Sequence, residues 1–398
     1  VNLPVAASQN KNVALLAASQ ALLLTNNSTL IALNGLAGYA LAPHKGLATA
    51  PVTGWVVGAA ATTFFASLLM KRIGRRAGFT LGAAVGIVGA LICAAALAAG
   101  NFWLFCLGTT VFGVYNGFGQ YYRFAAADVA TPAFKAKAIS YVLAGGLVGG
   151  IIGPSLSRFT VNLLPTAYLG AYLVLILFLA AAIALFRFLE IPPPTQSEAR
   201  EGGRPLAVIA AQPAFVVAVL CGAFSYGVMN LLMTATPLAM GVCGHPYAAA
   251  ATVISSHVVG MFAPSFVTGD LIRRFGVLKV MLAGVLINLL CIAIALAGIE
   301  VAHFWWALVL LGVGWNFVYI GATALLTETY RSAEKAKAQG ANELCILLIM
   351  ATSSFSSGMI LEANGWQTLN YAAIPFVLAM GVALTWLMMK RRGAVAAA

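Results

Sequence analysis

Two pairs of side chains with coordinating chemistry stand at one-turn spacing in this chain: Met229 with Met233, and His257 with Met261. Residues four apart on an α-helix share a face, so each pair would present two donor atoms in one direction. Thioether and imidazole are neutral and can remain in a low-dielectric interior without the cost of a buried carboxylate. Sulfur selects Cu(I), and imidazole also suits Cu(II) and other borderline ions. Plain packing produces the same spacing, because Met is a common gap-filler in apolar cores. His257 lies in the middle of an apolar stretch, whereas His44, His245 and His303 fall in outer loops or near the ends of such stretches. Glu343 and Glu328 are possible proton carriers, with pairing to the basic segment Arg331 to Lys337 the favoured reading. Asn26, Asn27, Asn116, Gln120, Tyr121, Tyr122 and Asn316 either line a polar cavity or bond helices together, with packing favoured for most of them. No nucleophile and base set and no cofactor loop appears, which argues against an enzyme.

The elements that must position these groups are membrane helices. Of 398 residues 62% are hydrophobic and 8% charged, and the mean hydropathy is +0.95, whereas soluble domains carry about 25% charged residues. Apolar stretches of about twenty residues each suffice to cross a hydrocarbon core of about 30 Å. We read an all-α polytopic membrane protein with twelve spans: 13–40, 49–70, 79–99, 102–122, 138–160, 165–188, 212–237, 247–268, 277–298, 303–327, 339–361 and 367–389. The net charge of +12 does not indicate nucleic acid, because 20 of the 22 Lys and Arg residues fall on one face of this topology, all but Lys45 and Arg158. By the positive-inside rule that face is cytoplasmic, and both termini lie there. The six Cys form no CxxC and no disulfide framework. The polar stretch Ser8 to Val13 leads directly into the first apolar run, unlike a cleavable signal peptide.

A polar segment with Pro192, Pro193 and Pro194 cannot continue a membrane helix. It divides the chain into a six-helix half at 1–188, a linker at 189–208 and a second six-helix half at 209–398. An internal repeat supports the division. Ser67 to Gly74 matches Gly269 to Gly276, Lys135 to Ala138 recurs at Lys335 to Ala338, and the aromatic-Asn pairs Tyr115-Asn116 and Trp315-Asn316 are 200 apart. Two parallel halves of this kind place a substrate site near mid-membrane.

On these motifs the sequence resembles the major facilitator superfamily over its full length. Gly269 to Gly276 is similar to that superfamily's loop signature, with Ser67 to Arg76 as its first-half counterpart, although Lys71 stands where the usual motif is acidic. Gly145, Gly146, Gly149, Gly150, Gly153 and Pro154 resemble a second signature, for which close helix packing is the favoured reading. Within the superfamily, the paired Met229/Met233 and His257/Met261 motifs, with Cys221 and Cys243 flanking the first, resemble the CcoA-like copper transporters. That resemblance implies uptake of copper as transported substrate, with no resident cofactor, across a bacterial cytoplasmic membrane for assembly of cbb3-type cytochrome c oxidase. It also implies Met233 and His257 as the essential ligands and delivery by alternating access to a cytoplasmic copper carrier. If span seven is continuous, Cys221 lies about 24 Å below Pro237, too far from Cys243 for a disulfide, which leaves two thiols at different depths that relay copper or stay inert. Similar chains without the metal motifs carry organic compounds such as riboflavin. The alternatives are therefore an organic-solute carrier using Tyr115, Asn116, Gln120 and Trp315, and a membrane copper sensor or chaperone.

Overall fold

The computed structural model describes residues 3–44, 47, 50–192 and 203–396. The linker stretch 193–202, with Pro193, Pro194 and Arg200, lies outside the described residues, as do Lys45 and the side chains of Pro154 and Arg158. Among the described residues the chain is helical with no strand. Its helices are α1 (Leu3–Leu41), α2 (Ala50–Ile73), α3 (Arg75–Ala98), α4 (Phe102–Gly119), α5 (Tyr122–Val129), α6 (Lys135–Thr160) and α7 (Leu169–Phe186). They continue as α8 (Leu206–Ala210), α9 (Pro213–Val242), α10 (Tyr247–Phe262), α11 (Ser265–Phe275), α12 (Val277–Ala297), α13 (Val301–Leu326) and α14 (Lys335–Ala396). Gly365, at φ 77°, divides α14 into two helices, which supply spans eleven and twelve. Helices α10 and α11 together form span eight, broken at Ala263 and Pro264 where one continuous helix was expected and extending further, to Phe275. Span seven is unbroken through Pro237.

The repeated loop motif has a backbone cause. Gly74 and Gly276 both sit at φ 87°, each forming the turn between consecutive helices. That conformation burdens any residue with a Cβ, so the glycine at this place recurs in both copies while Lys71 and Asp270 differ nearby.

Two compact units emerge, one of Val1–Ala130 with Gly145–Glu201 and one of Thr131–Ala144 with Gly202–Ala398. In the first, the glycines of α6 lie directly on α1: a Cβ at Gly145 would stand 2.1 Å from the Ala17 carbonyl oxygen, and one at Gly149 2.4 Å from that of Ala21. Thr29 Oγ1 seals the same seam by donating to the Gly153 carbonyl at 3.0 Å. Close packing is thus what this glycine series does. Because the atoms in the way are backbone, Gly145→Val is expected to cost more than the usual 1–3 kcal/mol of overpacking. Folded yield in membranes, read by fluorescence size-exclusion, should collapse, and near-normal yield would show that the seam can open.

Each side of the linker is fastened within its own unit. Glu190 accepts from Lys11 and Ser8, and its main chain exchanges bonds with Asn12 at 3.0 and 2.8 Å. Lys11, the nearest cation, holds the Glu190 carboxyl below its ordinary range. In the second unit Arg204 grips Glu334 through Nε and Nη2, both at 2.7 Å, while Lys337 donates to the Arg204 carbonyl at 2.6 Å.

Candidate functional site

The six residues selected for coordinating chemistry do not share one environment. Met229 and Cys221 are buried in α9, Met233 is half-buried, and Cys243 is partly exposed just past the end of that helix; both cysteines are free thiols. His257 is fully buried, and its Nδ1 lies 2.7 Å from the Leu308 carbonyl of α13. A carbonyl only accepts, so Nδ1 carries the proton and Nε2 is left as a bare acceptor, without a partner among the described residues. The backbone around His257 and Met261 is pressed against α13 at Gly312, where a Cβ would meet the His257 oxygen and the Met261 nitrogen at 2.7 Å each. Span eight therefore packs its His257 face on span ten. No group of three or more His, Cys, Asp or Glu able to hold a metal occurs among the described residues.

Asn316 explains how span eight can break inside a membrane. Pro264 has no N–H to offer the Gly260 carbonyl four residues back, and the next carbonyl, that of Met261, accepts from Asn316 Nδ2 at 2.6 Å. The same nitrogen donates to Ser265 Oγ at 2.6 Å, and Thr268 Oγ1 donates to Asn316 Oδ1 at 2.7 Å. A neighbouring helix thus satisfies backbone that lipid cannot.

The residue before it, Trp315, organises an aromatic cluster. Trp315 stacks on Tyr319 at 4.7 Å and 19°, meets Tyr226 of α9 edge-on at 5.5 Å, and meets Phe262 of α10 edge-on at 6.0 Å. Tyr226 also touches Tyr319 at 5.3 Å. Trp315 and Tyr319 are buried, whereas Tyr226 is half-exposed, so Tyr226 is the ring this cluster presents. Trp315 Nε1 has no hydrogen-bond partner among the described residues. Of these four rings sequence reading selected only Trp315. The i, i+4 spacing of Trp315 and Tyr319 was the available signal; Tyr226 carried none.

The first unit holds polar groups of α1 and α4 together. Asn27 Nδ2 and Gln120 Nε2 both donate to Asn116 Oδ1, at 2.9 and 3.0 Å. Tyr115 lies elsewhere, its ring against Gly86 of α3 and Leu179 of α7 closing over the same spot, with Asn26 and Tyr122 near its hydroxyl. The hydroxyls of Tyr115 and Tyr122 and both amide atoms of Asn26 are buried without a well-formed hydrogen bond. Tyr121 donates to the Thr63 carbonyl at 2.7 Å, so it bonds helices.

Charges gather at helix ends. Arg75 pairs with Asp128 at 3.2 Å, and Asp270 with Lys137 at 3.0 Å and Arg273 at 3.3 Å. Glu328 pairs with Arg391 at 2.8 Å, a more distant partner than the segment Arg331 to Lys337 expected from sequence. Glu343 is buried and accepts from Asn342 at 2.7 Å.

Long apolar helices, with rings and amides held between them, define a polytopic membrane protein. The chain belongs to the Major Facilitator Superfamily, whose family model matches residues 15–277 and 218–397. It is 41% identical to the riboflavin transporter RfnT of Brucella anthropi over 396 residues, 99% of each chain, and 28% identical to the uncharacterized MFS-type transporter YdeG of Bacillus subtilis over 79% of this chain and 77% of that one. Among solved structures it is similar to the E. coli fucose:proton symporter FucP, with a TM-score of 0.78 at 18% identity, covering 94% of this chain and 98% of that one, which establishes the shared fold. The twelve-helix major facilitator fold expected from the sequence is therefore correct.

The copper reading is not. A full-length relative at 41% identity is a riboflavin transporter, so the expectation of copper uptake, copper binding and a role in cytochrome oxidase assembly is overturned in favour of the organic-solute alternative. The physical reason lies in the ambiguity of the spacing: Met and His at i, i+4 meet packing needs as readily as coordination.

Proposed function

We propose that this protein carries a flavin-like organic solute, a planar heteroaromatic ring bearing polar groups, across a bacterial cytoplasmic membrane by alternating access. The observation that carries this reading is the 41% identity with a riboflavin transporter along 99% of both chains. The Tyr226 ring, backed by Trp315 and Tyr319, supports it, since flat heteroaromatic rings stack on such platforms. With 20 of 22 basic residues on one side of the topology, the termini face the cytoplasm.

The test is uptake of radiolabelled riboflavin into cells that lack their own flavin uptake and into proteoliposomes containing the purified protein. Accumulation above empty controls is expected, and absence of accumulation in both would refute the flavin reading. In the same assay Met229→Leu, Met233→Leu and Met261→Leu, which conserve volume and apolarity, are expected to stay within about twofold of wild type. A tenfold loss in any of them would give the thioethers a role beyond filling space.

A further inference from the structure

Hydrogen-bonding capacity is left over at three amides of the first unit. Asn116 Oδ1 accepts from both Asn27 Nδ2 and Gln120 Nε2, which ties the three together; these bonds use neither Asn116 Nδ2 nor Gln120 Oε1, and Asn27 Oδ1 is buried without a partner among the described residues. Asn27 is only 7% exposed and its bare Oδ1 is fully covered. Such a buried, unbonded amide oxygen calls for a ligand or an ordered water.

The repeat supplies the comparison. Asn316 holds the position equivalent to Asn116, 200 residues on, and both its amide atoms are spent on Met261, Ser265 and Thr268. One half uses this asparagine to hold its own helices; the other keeps its amide nitrogen in reserve.

The chemistry of the leftover atoms narrows what would occupy them. The oxygens of Asn27 and Gln120 remain as acceptors and the unused amide N–H groups as donors, and the trio contains no ionised group. Arg123, the cation beside it, donates to the main-chain carbonyl of Gln120 at 2.7 Å. A cationic group would find no carboxylate among these amides, and an anion would face the bare carbonyl oxygen of Asn27. Hydroxyl groups donate and accept at once, so a run of them satisfies all three amides whichever way each amide is turned, whereas the fixed pattern of an imide edge fits only one arrangement.

We infer that Asn27, Asn116 and Gln120 form a hydroxyl-recognition site for the polyhydroxyl part of the transported solute. This rests on the flavin reading, because riboflavin joins its planar ring to a ribityl chain of hydroxyls. The trio takes the chain and contributes to selectivity among molecules with the same ring.

The experiment compares riboflavin with lumiflavin, the same ring with a methyl group in place of the ribityl chain, by equilibrium dialysis against the full-length protein in detergent. Wild type is expected to bind riboflavin at least tenfold more tightly. Gln120→Met, nearly isosteric, and Asn116→Leu should each weaken riboflavin at least fivefold while changing lumiflavin less than twofold, so that the preference collapses. Equal wild-type binding of the two flavins would overturn the hydroxyl site and leave the flavin reading intact. Equal loss of both flavins in the variants, with intact folding by size-exclusion, would also overturn it, by showing that the amides act on the site as a whole. Binding of neither flavin by wild type would overturn the flavin reading and this inference with it. Gln120→Met tests the site even if Asn116→Leu fails to fold.

Discussion

Tyr226→Ala is expected to lower riboflavin uptake by tenfold to a hundredfold, with Tyr226→Phe losing far less. The half-exposed Tyr226 ring is held from behind by Trp315 at 5.5 Å and Tyr319 at 5.3 Å, which stack on each other. A platform already fixed by its neighbours binds a flat solute without losing rotamer freedom at that moment, and stacking of one heteroaromatic ring on one aromatic side chain is worth about 1–3 kcal/mol. Phenylalanine keeps the ring face and alanine removes it, so the two variants separate stacking from hydrogen bonding. Uptake rates at limiting riboflavin, normalised to protein in the membrane, give the answer. Unchanged uptake in Tyr226→Ala would place ring recognition elsewhere.

Asn316→Leu is expected to destabilise the second unit by about 2–3 kcal/mol. The substitution is close in size but strips Met261 O and Ser265 Oγ of their donor at the break in span eight and leaves Thr268 Oγ1 with the Pro264 carbonyl. Interhelical hydrogen bonds in membranes average about 0.6 kcal/mol each, and a carbonyl beside a proline break, with no water to turn to, adds the cost of desolvation. A lowered thermal midpoint in detergent and reduced folded yield are the expected readouts. Wild-type melting of Asn316→Leu would mean that the break at Pro264 is held by packing alone.

Much of the fold was legible because lipid leaves the chain few choices. Runs of apolar residues had to be helices, and the repeated loop signatures pointed to the family whose model matches the chain. Gly74 and Gly276 were readable as a repeated motif before their shared φ supplied the reason. Span eight was read as one piece because a proline near a helix end does not reveal whether a neighbour will bond the backbone at a break; Asn316, 52 residues beyond Pro264, bonds the Met261 carbonyl there. The candidate site was harder for a related reason. Spacing along one helix tells which residues share a face and nothing about which helix that face meets, and His257 faces Leu308 of span ten. The repeated pairs Tyr115-Asn116 and Trp315-Asn316 likewise promised equal roles. Their neighbours divided those roles, sending Tyr115 toward Gly86 and setting Trp315 beside Tyr226.

The fastening of the linker has a genetic consequence. Glu190 is bonded to Ser8, Lys11 and Asn12, and Arg204 to Glu334 and Lys337, so each stub belongs to the body it leaves. None of these bonds crosses the peptide stretch between them. Codons inserted in that stretch accordingly lengthen the joint and leave both fastenings in place.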